Sequence, residues 1–239
     1  MKVALWMAFA LSLIISIVAC SSAIRDASTP APAAIQPAPA NAPAATSAPA
    51  INANPAVSLP AGTVIAFLAT DKSLARYRVR EQLAGVNFPS DAVGTTKNIT
   101  GTIYGKMDGT ILPQSKFRVD LRTLVSNDDR RDNFLRQQVL NTRNFPFAEF
   151  VPKQVKNLPS PIPTSGAVKF QLIGDLTVRD VTKSVTWEVE GTINGNEGTG
   201  TAKTNFNFAF FNLAQPRVSM VLSIQDDIKL EVEGLIRRQ

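Results

Sequence analysis

Apolar and polar residues alternate one for one along several stretches of the chain. KFRVDLR (116–122), AVKFQL (167–172), VTWEVE (185–190) and IKLEVE (228–233) each place apolar side chains at every second position and mostly charged or polar ones between. That period puts one face of an extended strand in a core and leaves the other in water. NFNFAF (205–210) carries the same alternation with phenylalanines, and NITGTIY (98–104), rich in threonine and isoleucine, reads as a further strand. MDG (107–109) and INGN (193–196) supply hairpin-type turns. Only residues 128–140 read as a helix, opening with acids and carrying Phe134, Leu135, Val139 and Leu140 along one side. The expected fold is an all-β antiparallel domain with one inserted helix. A closed barrel is favoured over a sandwich, because closure removes exposed strand edges and leaves an interior.

This patterning begins only after about residue 60. Lys2 is followed by an almost continuous apolar run to Ile15, too short for an ordinary spanning helix and typical of the core of a secretory signal. The run leads to IVAC (17–20), which resembles a bacterial lipobox. That resemblance implies a diacylglyceryl group on the Cys20 sulfur, with cleavage after Ala19. Residues 21–60 hold 8 of the 16 prolines and only two charged residues, Arg25 and Asp26. Such a segment lacks the apolar bulk to offset the entropy of ordering and reads as an extended tether. It spans about 40 Å as a coil and about 120 Å as polyproline. The expected organisation is a signal peptide over 1–19, a disordered Ala/Pro-rich tether over 20–60 and a β-barrel domain over 61–239. The expected location is the cell envelope: secreted across the cytoplasmic membrane and lipid-anchored, with the leaflet left open.

Composition narrows the chemistry. The 239 residues include no histidine and one cysteine. Histidine-based triads, histidine metal sites and intramolecular disulfides are therefore excluded. The net charge of +6 is interleaved with acids rather than gathered into a basic run, which argues against nucleic acid as a partner. The acidic stretch at 128–132 can be read as a cation site or a carboxylate pair, or as a helix N-terminus whose acids face the backbone dipole and pair with arginines. The second reading is preferred. NIT (98–100) matches a glycosylation acceptor but falls on an expected strand of a bacterial protein.

Three segments carry a family resemblance. RDNFLR (131–136) followed by NFPFAEF (144–150), and GDLTVRDVTKSVT (174–186), resemble hallmarks of the YceI-like family, and RVREQL (78–83) with AVGTT (92–96) resemble a version of its earlier strands. The resemblance implies an extended antiparallel, lipocalin-like barrel whose cavity holds an isoprenoid or other long amphiphilic chain, with Arg131-Asp132 at a junction near the cavity mouth. The chain departs from that pattern at Asp175, at Arg179-Asp180, and at FAFFNL (208–213).

The domain contains 12 of the 13 phenylalanines. Aromatic side chains line pockets for acyl or prenyl chains, yet they also fill ordinary cores, and a barrel of about eight strands either packs solid or holds one small ligand. The candidate ligand-contacting residues are Phe134, Phe145, Phe170, Trp187 and Phe208, with Arg131 and Arg136 placed to meet an anionic head group. The expected function is a non-enzymatic envelope protein that sequesters or carries a hydrophobic amphiphile, without cofactor or metal. The alternative is a structural or interaction lipoprotein with a filled barrel, working through surface residues such as Lys116 and Arg118. A carboxylate-dependent hydrolase using Asp132 ranks last.

Overall fold

The computed structural model of the chain describes residues 63–68, 72–106 and 108–238. The expected signal peptide, Cys20 and the tether lie outside them. Ten antiparallel strands run in the order β1 (Thr63–Leu68), β2 (Leu74–Leu83), β3 (Ser90–Thr96), β4 (Ile99–Lys106), β5 (Lys116–Asp120), β6 (Phe147–Lys156), β7 (Ser165–Val178), β8 (Val181–Asn194), β9 (Glu197–Phe206) and β10 (Val221–Arg238). Spatial neighbours follow β1-β4-β5-β6-β7-β8-β9-β10, and β10 pairs back onto β1, so eight strands form a closed ring. The β2–β3 hairpin continues the sheet beyond β10. This is the antiparallel barrel expected from the alternation.

The long hairpin β7–β8 shows why the pattern folds this way. Its register pairs Phe170 with Val189, Leu172 with Trp187 and Gly174 with Val185, so the alternate apolar residues of both strands share the inner face. Val185, Trp187 and Val189 are buried, whereas Thr186, Glu188 and Glu190 are exposed. The hairpin turns on Arg179-Asp180, with Arg179 at φ 58°. This unusual choice of residue is used: the Arg179 guanidinium reaches the Val139 carbonyl at 3.4 Å, tying the turn to the helical segment.

That segment lies between β5 and β6. The helix α1 (Asp129–Phe134) passes without a break into a wider π-type turn (Leu135–Val139), so the helix expected over 128–140 is present but changes pitch halfway. Asp128 caps it, its carboxylate accepting from the Arg130 and Arg131 backbone N–H groups. The side-chain hydrogen bond from Arg130, followed by the one from the Arg131 backbone, holds the Asp128 carboxyl below its ordinary range. The acidic run is thus a helix start, and no cluster of acids able to hold a metal forms among the described residues.

One expected strand ends early. The phenylalanine alternation of 205–210 stops being β at Phe206, and Phe208–Phe211 form a 3-10 turn. Two side chains take over the backbone donors there: Asn207 accepts from the Phe210 N–H and Asp226 accepts from the Phe208 N–H at 2.8 Å. The turn drives Phe211 into full burial, with Phe206 and Phe210 packed on it at ring separations of 4.7 and 5.0 Å. Likewise the β4–β5 connection is broader than a tight hairpin, and in it Ile111 bridges back to Gly105.

Beneath the helix, Leu121, Leu124, Leu140, Leu176, Val178 and Phe211 belong to the buried core. Tyr77 enters this region from β2 across Gly94, its register partner on β3. A Cβ at Gly94 would stand 2.2 Å from the Tyr77 ring, so only glycine lets the ring lie flat on that strand. Burial pushes the Tyr77 hydroxyl up to about 12, with Arg131 opposing the rise and Asp132 and Glu81 adding to it. A folded-state value above the unfolded one means that stability is complete below about pH 10 and is lost as pH climbs toward 12. Between those limits Tyr77 is expected to account for roughly 2–3 kcal/mol of lost stability. Urea titrations across that range should show the Tyr77→Phe variant losing less stability than the parent by this amount.

Candidate functional site

The inner face of the barrel is unevenly filled. On β9 the inward positions toward the strand's start are Gly198, Gly200 and Ala202, and Gly200 pairs across to Gly191 on β8. Small residues at successive inward positions withdraw side-chain volume from the interior where the neighbouring strands supply Val168, Phe170, Val189 and Ile193. What remains is a cavity of about 160 Å³ with Gly200 and Ala202 in its wall. Its lining is aliphatic, aromatic and glycine with one charged exception, Lys106, at the end of β4. Lys106 and Ile193 mark the end of the barrel away from the helix.

A second space of about 90 Å³ lies deeper, bounded by Ala75, Tyr77, Leu121 and Leu176. Phe117, Phe150, Trp187 and Val232 belong to the walls of both. Phe150 and Trp187 meet edge to face with ring centroids 5.9 Å apart, so this pair partitions the interior into an outer and an inner chamber. Gly174 makes the pair fit: a Cβ there would stand 2.8 Å from the tip of the Phe150 ring. Trp187 is 6% exposed, and its indole N–H has no hydrogen-bond partner among the described residues.

A lining of this kind suits an apolar chain. The wall of the larger cavity contains no carboxylate.

A family model for the YceI-like domain matches residues 68–234. The chain belongs to the YceI-like family. No curated protein matches it. Among solved structures, the polyisoprenoid-binding domain from Saccharophagus degradans implicated in plant cell wall breakdown superposes with a TM-score of 0.55 at 9% identity, over 73% of this chain and 98% of that one. BcnA of Burkholderia cenocepacia gives 0.52 at 17% identity, over 69% and 96%. The YceI protein of Campylobacter jejuni gives 0.50 at 16% identity, over 66% and 90%. At these identities the likeness is one of fold.

In this YceI-like domain the sequence candidates separate into two groups. Phe170 and Trp187 stand in the cavity wall. Phe134, Phe145 and Phe208 are not part of either lining: Phe208 is buried in the 3-10 turn, Phe145 lies 5.9 Å from the Arg179 guanidinium, and Phe134 closes α1. The two arginines also lie outside both linings. Arg131 donates to the Glu81 carboxylate at 2.6 Å, and Arg136 donates to the Leu124 carbonyl at 2.8 Å and to Asn133 at 3.0 Å. Asp132, 3% exposed, accepts from both the Ser126 N–H and hydroxyl. The family's arginine-aspartate pair is here a structural junction pinning the helix to β2.

Sequence reasoning missed Lys106 and the small-residue face of β9. The second had a legible signal, since EGTGTA (197–202) alternates glycine or alanine with longer residues at strand period. Because Glu81 has a side chain only 7% exposed, Arg131→Ala should strand its carboxylate and cost about 3 kcal/mol. Arg136→Ala, which frees one buried carbonyl, should cost about 1 kcal/mol. Urea unfolding of the two variants checks this ranking.

Proposed function

We propose that the domain is a non-catalytic binder of one long-chain amphiphile, of isoprenoid or fatty-acyl type, working in the cell envelope on a lipid anchor at Cys20. The observation that carries this reading is the apolar cavity inside a YceI-like barrel, with Lys106 as the one charged residue of its lining. A solved structural relative is described as a polyisoprenoid-binding domain, which agrees with it. The apolar part of the ligand enters the outer chamber, and its polar end stays at the rim beside Lys106. A cavity of about 150 Å³ takes up a benzene-sized molecule, so the outer chamber holds the leading end of such a chain and the remainder extends toward the rim.

A second reading, an interaction protein acting through its surface, draws on one observation. Phe88, Met220 and Leu222 are 78%, 60% and 68% exposed, and the β2–β3 loop is joined to Met220 by an N–H···O bond from Ala84. Lys116 and Arg118, the surface residues singled out from sequence, instead both pair with Glu149.

Protein recovered from cells expressing the full chain should yield, on organic extraction and lipid mass spectrometry, one stoichiometric long-chain species. An empty extract from folded protein would favour the surface reading. Ala202→Phe, which fills the outer chamber from β9, should reduce the extracted ligand at least tenfold at unchanged far-ultraviolet circular dichroism.

A further inference from the structure

The side chains shared by the two chambers form one layer across the barrel. Phe117, Phe150, Trp187 and Val232 come from β5, β6, β8 and β10, so the layer reaches more than halfway around the eight-stranded ring. The intervening strand β7 shows how it is made. Leu172 lines the outer chamber and Leu176 the inner one, while Gly174 between them carries no side chain. The tip of the Phe150 ring takes the space that a Cβ at Gly174 would need. Phe117 stands opposite Phe150 in the β5–β6 register, and Trp187 meets it edge to face. Phe150 and Trp187 are each only 6% exposed. Rings packed this closely do not swing aside without losing contacts on every side.

We propose that the Phe150–Trp187 pair is a depth stop, which sets how much of an apolar chain the barrel encloses. This rests on the binding reading above and deepens it. A cavity of about 150 Å³ takes up one benzene, or about 25 Å³ per carbon. By that measure the outer chamber, at about 160 Å³, encloses about six carbons. The inner chamber, at about 90 Å³, has room for about three more. A chain that ends against the pair leaves the inner chamber unused, and its further carbons stay at the rim. The ligand class is thereby an amphiphile gripped by a short, purely hydrocarbon end rather than enclosed along its length.

The test uses the straight-chain 1-alkanols from butanol to dodecanol against the protein obtained from the full chain. Affinities are read by displacement of a fluorescent apolar dye. Each carbon buried in the lining should raise affinity about fourfold, and each carbon left outside should add almost nothing. The parent is expected to show fourfold steps up to about six carbons and a plateau beyond. Phe150→Ala removes the ring over Gly174 and joins the chambers, so its plateau should begin at least about three carbons later. Ala75 lines the inner chamber alone. Ala75→Leu, which fills that chamber from β2, should therefore leave the parent's series unchanged.

The parent's own series needs no variant to fold. Fourfold steps that continue in the parent past about nine carbons overturn this inference while the binding reading stands. So does an Ala75→Leu series in which only the longer alkanols lose affinity, because the chain would then already reach the inner chamber. A plateau that stays in place in folded Phe150→Ala protein puts the stop elsewhere and overturns it too. Failure of every alkanol to displace the dye from folded parent protein overturns the binding reading itself.

Discussion

Everything in this domain depends on β10 being hydrogen-bonded along both edges. Its eighteen residues pair with β9 on one side, and on the other first with β2 and then with β1. An open sheet of this length would present two rows of unpaired N–H and C=O groups. By passing from β2 to β1 along one edge, β10 closes eight strands into a ring and carries the β2–β3 hairpin beside it. The remaining edge, on β3, is partly covered where Thr95 exchanges two hydrogen bonds with Val125. Closure sets the interior width, and an eight-strand ring is just wide enough to be packed or to hold one small molecule.

Which of these happens is settled separately at the two ends of the same ring. Below the helix, leucines from the turn after β5, the Phe208–Phe211 turn and Tyr77 fill most of the space and leave only the smaller inner chamber. Toward Lys106, glycine and alanine on β9 leave the larger one. The Phe150–Trp187 pair stands between the two.

Charge is arranged on the outside and at the junctions. Arg76 bridges Glu231 and Glu233 across β2 and β10, and Glu149 takes both Lys116 and Arg118 across β5 and β6. Such pairs add little stability each, but they favour the correct strand register, because a slip by one residue would carry them inward. Arg131 with Glu81 is also largely withdrawn from water, as Arg76 with Glu231 is, and ties the helix to the barrel. The interior is left largely to apolar contacts, an environment suited to selecting a chain by shape.

Strict alternation at 116–122, 167–172, 185–190 and 228–233 made the antiparallel barrel legible, because a period of two admits only one face toward the core. The acids before Arg131 made the helix start legible for a comparable local reason. Ligand contacts were not legible to the same degree. Phe134, Phe145, Phe170 and Phe208 look alike in sequence, and their fates diverge only when register and turns place one in the cavity wall and the others elsewhere. Asn207 ended the phenylalanine strand through a local hydrogen bond, and Asp226 through one that joins residues eighteen positions apart. Arg131 and Arg136 carried the charge for a head group, but Glu81, fifty residues away, and the Leu124 carbonyl had already claimed them. Sequence by itself determined the strands, the helix and the absence of histidine chemistry, since those are properties of neighbours along the chain. Only the tertiary structure decided where the barrel is hollow and which polar group it leaves unpaired, because both depend on what distant strands place opposite one another.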